Sequence, residues 1–349
     1  MRKSKLKYPI GVLLAAALLA GCQSDETSET TVPAETVSEA AAPVSAPVAE
    51  VAAVDERTAE EFVANMQANI TKAEATNGPG SPALWTLKDE DTTVHLFGTV
   101  HLLRPETEWR SDAINAAFAS ADTLVTEADT DSPEALQKAG ALVGQLAVFT
   151  DGTKLNDVID DEDEPIIDAS LKELDMSLAA MQQVKPWFVG FQMGIAQIIK
   201  SGYDPQSGVE IVLLAEAREA GKSLKHFETI EDQFKILAGG EIEEQVEGLV
   251  FASQTSELGP KMLDSLVDEW ADGDVVGLGE IVADPDAIGG QEAYDALLVE
   301  RNKNWIPQIK ELLNEPGTVF VAVGAGHLAG PDSVITMLRT EGLEVSGPQ

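Results

Sequence analysis

Thr318-Val319-Phe320-Val321-Ala322-Val323-Gly324-Ala325-Gly326-His327 is the stretch on which the fold turns. Its first six residues are apolar or β-branched and lack the polar alternation of a half-exposed strand. Such a run belongs to a strand covered on both faces, as in a sheet packed between helices. The strand stops at Gly324, where the backbone can turn tightly, and a histidine follows three residues later.

The same arrangement occurs early in the chain. Thr93–Phe97 reads as a strand, and Gly98-Thr99-Val100-His101 closes it. With Ala83–Leu87 and the polar run Lys88–Thr92 before it, this region predicts a β-hairpin. Further strands are expected at Ala121–Glu127 and Ser223–Glu228, and a short one at Leu343–Val345. Helical patterning covers Ser111–Ser120, most of residues 132–200, Glu210–Ala220, Glu231–Leu313 and Asp332–Thr340. Strands separated by helical stretches predict an α/β (α+β) domain: a central β-sheet with helices around it and large helical insertions.

The chain of 349 residues carries 60 acidic and 23 basic side chains, a net charge of −37. DNA and RNA are excluded as expected partners, because phosphate neutralisation needs a basic face. The one cysteine, Cys22, cannot form an intramolecular disulfide or a Cys-rich metal site. It follows a basic start (Arg2, Lys3, Lys5, Lys7) and an apolar run from Pro9 to Ala20, too short to span a bilayer but suited to a signal-peptide core. Leu19-Ala20-Gly21-Cys22 resembles the bacterial lipobox, so residues 1–21 are expected to be a lipoprotein signal peptide and Cys22 the lipidated residue. Lipid on Cys22 would anchor the chain to a membrane, at roughly 0.8 kcal/mol per buried methylene. Gln23 favours the outer membrane of a Gram-negative envelope by the same resemblance.

Residues 22–80 are then expected to form a disordered acidic Ala/Pro/Thr tether, since the stretch to about Glu60 has no aromatic residue and one base, Arg57. Phe62, Met66 and Ile70 recur every four residues, predicting a short helix that caps the tether. Asn77-Gly78-Pro79-Gly80 breaks the chain, and the main domain is placed at 81–349.

Four strand ends carry a possible ligand: His101, His327, Glu127 in LVTEAD and Glu228 in HFET. Open α/β sheets gather function outside the carboxyl ends of their strands. Two imidazoles and two carboxylates suit a divalent metal, with a spare carboxylate as general base. The other two of the 4 histidines, His95 and His226, are expected to serve packing and hydrogen bonding. Arg301 and Trp305 share a helix face, which fits guanidinium stacking on indole as well as a place for Arg301 in the cleft. No Gly-x-Ser-x-Gly or His-Glu-x-x-His occurs. Gly221-Lys222-Ser223 precedes a strand and has Glu216 where a P-loop has glycine, and Gly324-x-Gly326-x-x-x-Gly330 is mis-spaced for a dinucleotide loop.

Together, FGTVHLL (97–103), DTLVTEAD (122–129), KPW (185–187), GYDPQSGVE (202–210), HFETIEDQ (226–233), ERNKNW (300–305) and PGTVFVAVGAGHLAGPDSV (316–334) resemble the TraB/PrgY/GumN family, which includes the Tiki proteins. The resemblance runs from about Leu84 to Val345 and implies a fold related to the ChaN and erythromycin-esterase-like proteins. It implies a metal-dependent peptidase in the cell envelope that uses manganese or cobalt, with the metal on His101, His327 and Glu127; zinc is equally suited by the donor types alone. Glu228 would be fourth ligand or general base, and Arg301 would stabilise an oxyanion. Peptides or small molecules are the expected substrates. The alternative is a non-catalytic envelope lipoprotein that captures haem or a peptide, or has only an interaction role. Glu210 stands where relatives are expected to have aspartate, a difference expected to leave the metal site untouched.

Overall fold

The computed structural model describes residues 58–348. The expected signal peptide, Cys22 and most of the tether lie outside them. The sheet is built from β1 (Leu84–Lys88), β2 (Thr92–Thr99), β3 (Thr123–Thr126), β4 (Ser223–His226), β5 (Gly317–Gly324) and β6 (Val345–Ser346), in the order β4-β3-β5-β2-β1-β6. β2, β5, β3 and β4 run parallel; the hairpin partner β1 and then β6 extend the sheet antiparallel. This is the mixed α/β architecture expected from the sequence.

β5 is central, and its two faces feed two cores. Phe320 and Ala322 join Phe97, Phe118, Leu124 and Trp270 on one side. Val319, Val321 and Val323 join Trp305, Ile309, Ile335 and Leu338 on the other. This period-two division is the reason the run 318–323 has no polar alternation.

The register places the carboxyl ends of the parallel strands level with one another. Thr99 pairs with Gly324, while Thr126 pairs with Ala322 and with His226. The β3–β4 ladder continues past the strands, with the Phe227 N–H donating to the Thr126 carbonyl at 3.1 Å and the Glu228 N–H to the Glu127 carbonyl at 2.9 Å. Four chain segments therefore leave the sheet at one edge, carrying His101, Glu127, Glu228 and His327.

The helix Ala59–Ala73 differs in role from a tether cap. Its Thr58 capping box satisfies the first-turn N–H groups. Its apolar face buries Phe62, Met66, Ile70 and Ala73 in the main core, with Phe62 edge-on to Phe251 at 5.1 Å. The folded body thus includes residues ahead of Ser81. The large insertion between β3 and β4 contributes Leu155, Ile167, Leu171 and Val189 to a separate cluster, which Leu249 of the later helix Ile242–Gln254 completes. No helix among the described residues is long and apolar enough to cross a membrane.

Candidate functional site

His101 is held by two neighbours of different origin. Beyond β2 the loop 100–103 is clamped by the segment 203–209: the Val209 N–H donates to the Val100 carbonyl at 3.0 Å and the Asp204 N–H to the Leu103 carbonyl at 2.9 Å. Gly208 lets the two backbones approach, because a Cβ there would lie 2.2 Å from the His101 carbonyl oxygen. Glu210, in the first turn of the helix Val209–Glu219, then reaches the imidazole, with its Oε1 3.0 Å from Nδ1. The Thr99 hydroxyl donates to the same carboxylate oxygen. Since the carboxylate accepts, Nδ1 carries the proton and Nε2 is the free nitrogen. That Nε2 is buried without a partner, as is Glu210 Oε2. Burial disfavours the charged imidazole, yet the Glu210 carboxylate outweighs it and raises the His101 pKa above its ordinary value.

His327 follows β5 through the short turn Ala325–His327 and is almost completely buried. Its Nδ1 lies 2.6 Å from Asn302 Oδ1, and Asn302 in turn donates its amide to the Asp332 carbonyl at 2.8 Å. Its Nε2 lies 3.0 Å from Arg301 Nη1. Arginine can only donate, so Nε2 accepts and Nδ1 bears the hydrogen. The Trp305 ring packs against the imidazole, centroids 4.4 Å apart. Burial and then the adjacent Arg301 charge lower the His327 pKa to about 3, so the ring is neutral at physiological pH.

Arg301 enters from the helix Glu300–Leu312, just after the π-helical turn Asp295–Val299. Its Nη2 donates to Glu127 Oε2 at 2.5 Å and also to Glu228 Oε1. Its Nε donates to Glu228 at 3.1 Å and its Nη1 to the Leu297 carbonyl at 3.0 Å. With the bond to His327, every N–H of the guanidinium has a partner. Its carbon also lies 5.1 Å from the Trp305 ring centroid, so stacking and cleft placement hold together.

Glu127 accepts the Gly324 N–H at 2.6 Å through Oε1, and the Gln233 amide at 3.3 Å through Oε2. Burial raises its pKa, but Arg301, the histidines and the Gly324 N–H prevail and hold it at about 2. Gln233 also donates to Glu228 at 2.9 Å. His95 and His226 bond to Thr86 at 3.1 Å and Thr126 at 2.8 Å, as their hydrogen-bonding role predicts.

The structure therefore gathers His101, His327, Glu127, Glu228 and Arg301 in one place. Two site residues corrected the sequence expectation. Glu210 is the direct partner of His101 and belongs to the site. Arg301 spends all its donors on protein groups. Gln233 and Asn302 complete the network; the motifs HFETIEDQ and ERNKNW contain them, although nothing local marks their contacts.

Two imidazoles and two carboxylates are residue types that a divalent metal can take as ligands. Each histidine has Nδ1 bound to an oxygen acceptor, Glu210 or Asn302, as metal-ligating histidines often do, but only His101 Nε2 is without a partner, His327 Nε2 being held by Arg301. His327 Nε2 and Glu127 Oε1 are 3.8 Å apart, against about 3–3.5 Å for two donors on one ion with bonds of about 2.1 Å. Among the described residues no three His, Cys, Asp or Glu side chains converge at metal-holding distances. The Arg301 guanidinium stands in the cation position between Glu127 and His327.

A six-stranded mixed sheet with a buried charge network at the carboxyl ends of its parallel strands defines the class as an α/β-type protein with a strand-end site. Residues 83–347 match the model of the TraB/PrgY/gumN family, and the chain belongs to that family. It is 21% identical over 275 residues to an uncharacterized protein of Treponema pallidum, covering 73% of this chain and 79% of the relative. It is 22% identical over 248 residues to the uncharacterized protein YbaP of Escherichia coli, covering 70% and 87%. The YbaP of Shigella flexneri matches to the same extent. No solved structure matches significantly.

Proposed function

We propose that the chain is a metal-dependent hydrolase, a peptidase by family resemblance, anchored through lipid on Cys22 in the outer membrane of a Gram-negative envelope. The observation that carries the reading is the pair of buried imidazoles with Nδ1 tied to Glu210 and Asn302, with His101 Nε2 left without a partner and His327 Nε2 held by Arg301. Manganese, cobalt or zinc would be held by His101, His327 and Glu127, and would supply Lewis-acid polarisation of a substrate carbonyl.

The chain's own groups have separable tasks. Glu210 orients His101, and Asn302 fixes the tautomer of His327. Glu127 stays ionised at neutral pH. Glu228 is the candidate general base or further ligand, and Gln233 keeps its carboxylate beside Glu127. Arg301 balances both carboxylates; to stabilise an oxyanion it must give up one of its present acceptors. The expected substrate is a peptide or small molecule in the envelope.

Elemental analysis of tag-free protein tests the proposal. The expected result is about one metal per chain in wild type and a sharp fall in His101→Ala and His327→Ala. Wild type that carries no metal, and takes up none from excess Mn²⁺, Co²⁺ or Zn²⁺, refutes it. The second reading, capture of haem or a peptide without turnover, is favoured by the apolar cavity beside the two histidines. A Soret band lost on replacing either histidine supports capture, whereas peptide turnover by wild type and not by Glu127→Gln supports hydrolysis.

A further inference from the structure

Three of the side chains assigned to the metal already share a cation. Arg301 Nη1 lies 3.0 Å from His327 Nε2, Nη2 donates to Glu127 Oε2 at 2.5 Å, and Nε donates to Glu228 at 3.1 Å. All four groups are close to fully buried, with side-chain exposures of 2% for His327, 5% for Arg301 and Glu127, and 11% for Glu228. Of the two imidazoles, only that of His101 keeps a buried nitrogen without a partner.

We propose that Arg301 is an internal cation that competes with the divalent metal, so that a metal is admitted only as the guanidinium withdraws from His327 and Glu127. The proposal concerns control of occupancy at the site of the hydrolase reading and rests on that reading for the choice of ion.

Two physical limits make the occupancy exclusive. The first is a lone pair. Nδ1 of His327 bears the hydrogen directed to Asn302, so Nε2 has the one acceptor lone pair of the ring, and Arg301 uses it. An N–H and a metal cannot share that lone pair. The second limit is charge. A guanidinium stays protonated at any ordinary pH, and a divalent ion close beside it in a poorly solvated place meets strong repulsion. Counting Glu127, Glu228 and Arg301 alone, the site carries a single net negative charge. A divalent ion added beside the guanidinium would make it positive, whereas exchange of one cation for the other makes it neutral.

The exchange also changes what Arg301 can do. Every N–H of its guanidinium is spent on a protein group in the present structure. It can meet a substrate carbonyl or carboxylate only after releasing one of them, and the release that admits the metal is such an event.

Calorimetric titration of the chelator-treated full chain with Mn²⁺, Co²⁺ and Zn²⁺ tests this without requiring turnover. Arg301→Met is expected to bind the ions at least about tenfold more tightly than wild type, because a like-charge contact is relieved. Arg301→Lys keeps the charge but not the planar fork, so its gain is expected to be smaller, about threefold or more. Metal should also raise the melting temperature of Arg301→Met more than that of wild type, since it replaces the missing counter-ion. Combining Arg301→Met with His327→Ala should remove most of the gain, which separates this site from weak binding on the acidic surface. Circular dichroism verifies that each variant is folded, and Arg301→Lys carries the comparison should Arg301→Met fail to fold. Equal or weaker metal affinity in the folded Arg301 variants overturns the proposal and leaves the hydrolase reading standing wherever wild type binds. A gain that survives His327→Ala overturns it as well. Binding by Arg301→Met with none by wild type sustains the competition while the hydrolase reading fails, and no binding in any form refutes both.

Discussion

Arg301→Met removes a guanidinium and keeps most of its apolar stem. In the native structure that group donates to Glu127 at 2.5 Å and to Glu228 at 3.1 Å, with side-chain exposures of 5% for Arg301 and Glu127 and 11% for Glu228. Both carboxylates stay behind in a poorly solvated place when the cation is deleted. Breaking a buried ion pair from one side costs about 3–5 kcal/mol. Glu127 keeps the Gly324 N–H, and both carboxylates keep Gln233, so the lower part of that range, about 3–4 kcal/mol, is expected. At about 2–3 °C per kcal/mol for a large domain, the melting temperature should fall by about 6–12 °C. Thermal melts by circular dichroism at pH 7 measure this, repeated in high salt, where a buried network is screened little. Adding Glu127→Gln and Glu228→Gln to the Arg301→Met variant should restore at least half of the loss, because no stranded charge remains. A fall below about 3 °C, or no recovery in the triple variant, refutes the view that Arg301 acts chiefly as the counter-ion of the two carboxylates.

Acid should loosen the site in two overlapping steps. His327, neutral in the fold with a pKa near 3, opposes protonation that the unfolded chain accepts near 6.5, so stability falls as pH drops below 6.5. Glu127 adds stability above its unfolded value of 4.5 that is lost as pH approaches 2, and Glu127→Gln should flatten the low-pH part of the melting curve. His101 has the opposite sign: its raised pKa contributes stability below 6.5 that disappears as pH rises through the folded value. Glu210→Gln should lower the His101 pKa in an NMR titration; an unchanged value shows that Glu210 does not set it. Gly208→Ala puts a Cβ 2.2 Å from the His101 carbonyl oxygen, so the loop must shift. A cost of about 1–3 kcal/mol and a moved His101 imidazole resonance are expected, and wild-type stability with an unmoved resonance contradicts the clamp.

Local features made much of the site legible. His101, Glu127, Glu228 and His327 each lie within three residues of a strand end, and parallel strands bring their carboxyl ends to one edge. Apolar runs and glycine punctuation therefore indicated both the strands and the residues that leave them. Glu210 was missed because it sits in the first turn of a helix, where an acidic residue already has a sufficient local reason. Its pairing with His101 depends on how the 203–209 segment lies across the loop after β2, and only the Gly208 contact hints at it.

The helix at 59–73 shows the same division. Phe62, Met66 and Ile70 announced an apolar face, but nothing in their spacing says which surface covers it. The sequence by itself determined the element types, the buried central strand and the strand-end ligand candidates, because those follow from short-range periodicity and turn chemistry. Tertiary structure alone decided that Arg301 balances Glu127 and Glu228, that Glu210 and Asn302 orient the two imidazoles, and that an alkyl-walled cavity opens beside them. Those arrangements join residues from far-apart segments, and their energetics depend on shared burial, a property no single segment possesses.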